Sequence, residues 1–201
     1  GRLNHPYIIS IHDAGEDNDV AYLAMEYFEG KPLSHYAKLG QLLHPKLVFE
    51  LMARSAEALH YAHSQNVVHR DVKPANLMYD VASDRLKLTD FGIARLTDAS
   101  RTRTGIILGT PSYMSPEQLS ASKVSGQTDL YSLGVTMYQL LTGAPPFQAD
   151  SIPRLMDKIV HQKHRPVADL RDDVPPIVDV ILDRALAKNP ADRYESGKAM
   201  A

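Results

Sequence analysis

The spacing of hydrophobic positions divides the chain into a short β part and a long helical part. Residues 7–11 and 20–27 are apolar-rich runs of strand length, and the polar run 13–19 between them is typical of a turn. From Pro45 to about residue 64, leucines and alanines then recur at approximately helical spacing. The pattern therefore predicts two strands followed by a mostly helical body.

Helical patterns return in the second half of the chain. Residues 128–142 form a strongly apolar helical stretch, and Gly143 just beyond it is a typical C-cap. Further helices are predicted near residues 151–162 and 177–188, the second ended by Asn189-Pro190. Short strands are predicted at 67–68, 77–79 and 86–88. The long polar segment 94–117 has a length that is usually functional or disordered.

Composition narrows the class of protein. The 201 residues suffice for one domain with a real core, and 44% hydrophobic with 23% charged residues are ordinary globular values. A net charge of −2 disfavours nucleic-acid binding. The absence of cysteine excludes disulfides and thiol chemistry and suits a cytoplasmic site. No apolar run approaches the roughly 20 residues of a membrane-spanning helix, so we expect membrane contact only through sequence flanking this chain.

Candidate chemistry concentrates at residues 69–76 and 90–92. Asp71 offers a weak base and Lys73 a cation that can meet a phosphate. Asn76 lies five residues after Asp71 and Asp90 nineteen after it, and both offer the hard oxygen ligands that Mg²⁺ prefers. A lone loop aspartate more often caps a turn. The ordered set of these residues favours a catalytic site instead.

This order, H-R-D-x-K-x-x-x-N followed by D-F-G, resembles the catalytic loop and metal-binding triplet of protein kinases. The amino-acid sequence at residues 72–76, 91–95 and 115–118 is most similar to that of bacterial serine/threonine kinases of the eukaryotic-like (Hanks) type. The resemblance implies an α+β, mostly α fold: a protein-kinase-like C-terminal lobe with a short β remnant of the N-terminal lobe. Residues 1–28 would hold partial N-lobe strands and the hinge. Residues 29–201 would hold the C-lobe, with a catalytic loop at 69–76 and an activation segment at 90–117.

The resemblance also implies roles for the site residues. Asp71 would orient a substrate hydroxyl and accept its proton, Lys73 would contact the transferred phosphate, and Asn76 and Asp90 would bind Mg²⁺ or Mn²⁺. The adenine of ATP would lie against four residues of the hinge and the strand after the catalytic loop: Met25, Glu26, Phe28 and Met78. By itself, a methionine in an apolar strand is more often ordinary core.

Regulatory and structural roles follow from the same resemblance. Thr102 and Thr104 resemble activation-loop phosphosites, and Arg70 would receive the phosphate. The alternative is an exposed polar loop with incidental threonines. His69 and Phe91 would stack between the lobes. Three further residues would be architectural, with one holding the catalytic-loop backbone and two forming an ion pair: Asp129, and Glu117 with Arg193.

The front part of the kinase pattern is not in this sequence. There is no glycine-rich loop, no lysine before Lys31, and hence no strand lysine and helix glutamate to position ATP. We expect a chain that begins within a longer domain and has little activity alone. The resemblance implies Ser/Thr-bearing protein substrates, and self-association through the activation segment or the exposed lobe face. A non-catalytic docking module of pseudokinase type remains an alternative, and the docking segment 109–117 disfavours a small-molecule phosphotransferase.

Overall fold

The computed structural model describes residues 3–18, 20–91 and 111–201. It begins with an antiparallel hairpin of β1 (Ile11–Asp17) and β2 (Val20–Met25). The prediction of a turn over 13–19 was therefore wrong for most of its length, since pairing continues to Asp17 opposite Val20. Both faces of this hairpin are largely open to solvent, so backbone pairing proceeds without an alternating hydrophobic pattern.

A second, three-stranded antiparallel sheet combines one strand that precedes residues 69–76 in the sequence with two strands that follow them. Its strands are β3 (Lys31–Pro32), β4 (Leu77–Asp80) and β5 (Arg85–Leu88), in the order β3-β4-β5. The strands predicted at 77–79 and 86–88 are confirmed. The strand predicted at 7–11 is reduced to one parallel bridge between Ile8 and Leu88.

Residues 67–68 do not form the predicted strand. The N–H of Val67 donates to the carbonyl oxygen of Ala62 at 2.9 Å, so it closes the end of the preceding helix. A backbone donor used in this way is not available to a sheet partner.

Six α-helices are found in the described part of the chain, four of them eight residues or longer. The four long predictions are confirmed within a few residues at each end. Gly143 has φ 82°, and its N–H donates to Gln139 O at 2.7 Å, which is the expected left-handed cap. The helices are α1 (Pro45–Ser64), α2 (Pro116–Leu119), α3 (Gly126–Thr142), α4 (Ile152–His161), α5 (Ile177–Ala185) and α6 (Gly197–Met200).

The core forms where α1 and α3 pack together. Leu51 and Leu59 of α1 and Leu133 and Leu140 of α3 are fully buried. The short α6 lies so close to α1 that a Cβ on Gly197 would collide with the carbonyl oxygen of Ala56. Across the described ranges, no helix is both long enough and apolar enough to cross a bilayer.

Lys188 is a half-buried cation that ties α4 to the segment after α5. Its Nζ donates to Ile159 O at 2.7 Å and lies 4.1 Å from the centre of the Phe147 ring. Burial, and secondarily the positive charge of Arg193, lower the pKa of Lys188 from 10.5 to about 8. The folded protein therefore releases this proton at a lower pH than the unfolded chain does.

We expect this lysine to make stability rise with pH between about 8 and 10.5. In that window the unfolded chain still holds the Lys188 proton that the folded chain has lost, so raising the pH favours the fold. The free energy of unfolding, relative to Lys188→Met, should increase by at most about 3.5 kcal/mol, at about 1.4 kcal/mol per pKa unit. Urea titrations at several pH values measure this. Lys123→Met, at an exposed lysine, is the control; a constant wild-type minus Lys188→Met difference would contradict the prediction.

Candidate active site

A buried carboxylate at the start of α3 holds the backbone of residues 69 and 70, in the predicted catalytic loop. Asp129 has no exposed surface, and its Oδ2 accepts the N–H of His69 at 2.8 Å while Oδ1 accepts that of Arg70 at 2.7 Å. The His63 ring Nε2 also lies 2.7 Å from Oδ2. These contacts offset the cost of burying the charge. The backbone contacts are those predicted for Asp129; the contact with His63 was not, since helical spacing relates His63 only to its neighbours on α1.

His69 connects the predicted catalytic loop to the segment that leads into Asp90. Its buried ring lies 2.8 Å from Thr89 O through Nε2, and its Nδ1 accepts the N–H of Asp71 at 3.2 Å. A carbonyl only accepts and an N–H only donates, so these contacts select the tautomer protonated on Nε2. The ring centre is 4.6 Å from that of Phe91, which is the contact predicted between these two residues.

One carboxylate oxygen of Asp71 accepts hydrogen bonds from both Lys73 and Asn76. Lys73 Nζ donates to Asp71 Oδ2 at 2.8 Å, and Asn76 Nδ2 donates to the same oxygen at 3.1 Å and to Asp71 O at 2.8 Å. The Asp71 side chain is 47% exposed. The cluster is thus a carboxylate oriented by a cation and an amide on one side and open to a substrate on the other.

The residues predicted as metal ligands offer a suitable donor set. The amide nitrogen of Asn76 is engaged by Asp71, which leaves its oxygen as the remaining polar atom. The N–H of Thr89 donates to the backbone carbonyl oxygen of Asn76 at 2.9 Å, and the Oγ1 of Thr89 donates to the same oxygen at 3.2 Å. Asp90 follows directly and is exposed. One amide oxygen and one carboxylate fit Mg²⁺ or Mn²⁺, which keep water and phosphate oxygens as further ligands. Within residues 3–91 and 111–201, as far as described, no cluster of three or more His, Asp or Glu could hold a metal alone.

The predicted hinge is fastened to β5 by a lysine that the sequence did not single out. Lys87 Nζ donates to Glu26 Oε2 at 2.9 Å and to Ile8 O at 3.2 Å. The Glu26 N–H donates to Ser10 O at 2.8 Å. Partial burial acts to raise the pKa of Glu26, but hydrogen bonds from Lys87 and Ser10 outweigh it and leave the pKa below its ordinary value. Glu26 is therefore held as an anion at neutral pH.

The other predicted adenine contacts differ in exposure. Met25 ends β2 and is 41% exposed, whereas Met78 in β4 and Phe28 are half-buried. The Arg85 guanidinium lies 5.3 Å from the centre of the Phe28 ring. Met78 is opposite both Pro32 and Lys87 in the sheet. Its strand, β4, directly follows the predicted catalytic loop in the sequence.

The ion pair predicted between Glu117 and Arg193 is present and bidentate. Arg193 Nη1 and Nη2 donate to the two Glu117 oxygens at 2.7 and 2.8 Å, and both residues are buried. The remaining guanidinium N–H groups donate to three backbone carbonyls, so all five donors are used: Ala187 O at 2.8 Å, Gln127 O at 3.1 Å and Lys188 O at 3.1 Å.

The charge state of Glu117 follows from its partners. Burial acts to raise its pKa, but the hydrogen bonds from Arg193 and from Thr128 Oγ1, the latter at 2.7 Å, outweigh it. The pKa of Glu117 therefore lies below its ordinary value of 4.5. The pair is ionised throughout the neutral range and fixes α2 to the segment between α5 and α6.

Gln118 is a further contact of the site that sequence reasoning missed. Its Nε2 donates to Arg70 O at 3.0 Å, across 48 residues of chain. Arg70 has φ 69° and Asp90 has φ 63°, so both residues lie in the left-handed region. The candidate phosphosites Thr102 and Thr104 lie outside the described residues.

Comparison with known proteins gives the family. The protein kinase domain matches residues 1–201. The chain belongs to the protein kinase family. This kinase chain is 38% identical, over 98% of its length, to the serine/threonine-protein kinases PknB of Mycolicibacterium smegmatis and PrkC of Bacillus subtilis. It spans about a third of their length, 33% and 31% respectively.

Solved kinase structures share the fold. The kinase domain of Mycobacterium tuberculosis PknI superposes with a TM-score of 0.76 at 32% identity, covering 99% of this chain and 73% of that one. Rad53 in complex with AMP-PNP gives a TM-score of 0.84 at 26% identity, covering 99% and 50%. The predicted fold class, α+β and mostly α, and the predicted bacterial serine/threonine kinase resemblance are confirmed.

Proposed function

We propose that the protein containing this chain is an ATP-dependent serine/threonine protein kinase. The observation that carries the proposal is the half-exposed Asp71 carboxylate, oriented by Lys73 and Asn76, in a chain of the kinase family. The relatives named as serine/threonine kinases support the hydroxyl specificity. Its substrates would be proteins that present a serine or threonine.

The proposed mechanism assigns one task to each residue of the cluster. Asp71 orients the substrate hydroxyl and accepts its proton as the γ-phosphate is transferred, and a weak base suffices because proton loss lags that transfer. Lys73, already paired with Asp71, steadies the transferred phosphate. Asn76 and Asp90 would hold the metal ion. Bound Mg²⁺ supplies neutralisation of the phosphate charge.

The nucleotide would lie between the hinge and β4. We assign the adenine contacts to Met25, Glu26, Phe28 and Met78, and propose that residues 1–28 form the N-lobe strands and hinge. The Glu26 N–H is engaged by Ser10, which supports an adenine contact through its carbonyl. Residues 29–201 would form the C-lobe, in which phosphorylation of Thr102 or Thr104 would place negative charge near Arg70. A cytoplasmic site and self-association through the activation segment remain predictions.

A docking module without catalysis is the second candidate. One observation favours it for the 201-residue polypeptide: the sequence has no glycine-rich loop and no lysine before Lys31. Half of the usual nucleotide cleft is therefore not supplied by these residues. The retained Asp71, Asn76 and Asp90 favour catalysis by the natively extended protein.

Transfer of labelled phosphate from ATP tests the two candidates. With Mg²⁺ and a generic Ser/Thr protein substrate, we expect transfer by the natively extended protein, and little by the 201-residue chain or by an extended Asp90→Asn variant. Phosphate should appear on serine and threonine. A folded, extended wild type that transfers none would reject the kinase proposal in favour of docking.

A further inference from the structure

The peptide bond that joins Arg70 to Asp71 is held at both of its polar ends. Its carbonyl oxygen, on Arg70, accepts a hydrogen bond from Gln118 Nε2 at 3.0 Å. Its N–H, on Asp71, donates to His69 Nδ1 at 3.2 Å. The plane of this peptide sets the direction in which the Asp71 side chain leaves the backbone, because the peptide unit is rigid.

The backbone at Arg70 needs such support. Its φ of 69° is a left-handed conformation that is sterically unfavourable for a non-glycine residue. Such conformations persist where surrounding contacts impose them. Asp129 fixes the Arg70 N–H from α3 at 2.7 Å, and Gln118 fixes the Arg70 carbonyl from α2.

Gln118 reaches the loop from α2, directly after the predicted activation segment. It is half-buried in α2, and its Oε1 accepts the N–H of Ser115 at 2.9 Å, as the third helical residue does in a capping box. The amide thus serves two partners, the helix start through its oxygen and the catalytic loop through its nitrogen. A glutamate could make the first contact but not the second, because a carboxylate has no N–H to donate.

We propose that Gln118 is a positioning residue that couples the end of the activation segment to the orientation of Asp71. The inference rests on the proposed kinase function and deepens it. A shift of α2 moves the donor on Arg70 O, and the peptide that carries the base rotates with it. The segment on which a protein substrate would dock therefore sets the direction of the base through one hydrogen bond.

Gln118→Glu separates this role from helix capping. In the natively extended protein we expect kcat to fall about tenfold, with KM for ATP and for the protein substrate within about twofold of wild type and the thermal midpoint retained, because the cap contact survives. Gln118→Met, which is uncharged and lacks both contacts, should show the same loss of kcat and a lower midpoint. Gln148→Glu is the control: it is exposed, and its Nε2 donates to Pro145 O at 3.4 Å.

A Gln118→Glu variant with the kcat of Gln148→Glu would leave Gln118 as a helix cap and overturn the coupling. Hydrogen exchange provides a readout without activity. In the 201-residue chain, amides of residues 69–76 should exchange several-fold faster in Gln118→Glu than in Gln148→Glu, and equal rates would also overturn the inference. If the extended wild type transfers no phosphate, the kinase proposal fails, while the exchange comparison still decides whether Gln118 positions the loop.

Discussion

Replacing Asp71 by asparagine in the natively extended protein should lower kcat by about 10²–10⁴-fold, the range that a general base contributes. Asparagine has nearly the same size and retains an oxygen that can accept the hydrogen bonds of Lys73 and Asn76, which now meet at Oδ2. The fold and the loop geometry should therefore persist. What is lost is a group that can take a proton from the substrate hydroxyl.

Steady-state kinetics with a Ser/Thr protein substrate measures the effect. KM for ATP should stay within about twofold, since we assign nucleotide contacts to other residues. Asp150→Asn is a matched control, because Asp150 is a 70% exposed carboxylate paired only at the surface with Arg154. Wild-type kcat in Asp71→Asn would remove Asp71 from the mechanism and with it the proposed roles of its two partners.

Arg193→Met should destabilise the chain by about 3–5 kcal/mol, as expected when one partner of a buried ion pair is removed. The variant leaves the buried Glu117 carboxylate without its ion-pair partner, and among the described residues only Thr128 remains as its side-chain donor. It also leaves three backbone carbonyls without the guanidinium. Urea unfolding of the 201-residue chain measures the change.

Two further variants isolate the cause. Arg193→Lys keeps the charge but supplies three donors in place of five, so it should recover only part of the loss. Glu117→Gln combined with Arg193→Met removes the stranded charge and should be less destabilised than the sum of the single variants. Additive losses would show that the pair does not interact energetically. Because the folded pKa of Glu117 is depressed, its stabilisation is present above pH 4.5 and is lost as the pH falls through the folded value.

The helices and the ion pair were predictable for different reasons. The apolar spacing of α1 and α3 and the cap at Gly143 depend on residues within one or two turns, so local patterns determine them. The pair of Glu117 with Arg193, 76 residues apart, came instead from the family resemblance. The length of β1 was predicted wrongly because pairing with β2, and not the polarity of the β1 residues, determines where the strand ends.

The missed contacts share one property: each is made by a polar side chain that could have formed a hydrogen bond with a different partner. Lys87 lies in a strand where any exposed lysine would be ordinary, and its bond to Glu26 spans 61 residues. The contact of Gln118 with Arg70 spans 48 residues and that of His63 with Asp129 spans 66. Spacing rules cover neighbours on one element, so partners brought together only by packing remain invisible to them.

The left-handed backbone at Arg70 and Asp90 sets stability and activity in competition. Glycine adopts this conformation without the steric cost that other residues bear. A selection that rewarded only heat resistance would therefore favour glycine at both positions, although glycine lacks the side chain that each proposed role requires. Directed evolution for a hardier kinase should hold residues 70 and 90 constant and seek its gains elsewhere in the chain.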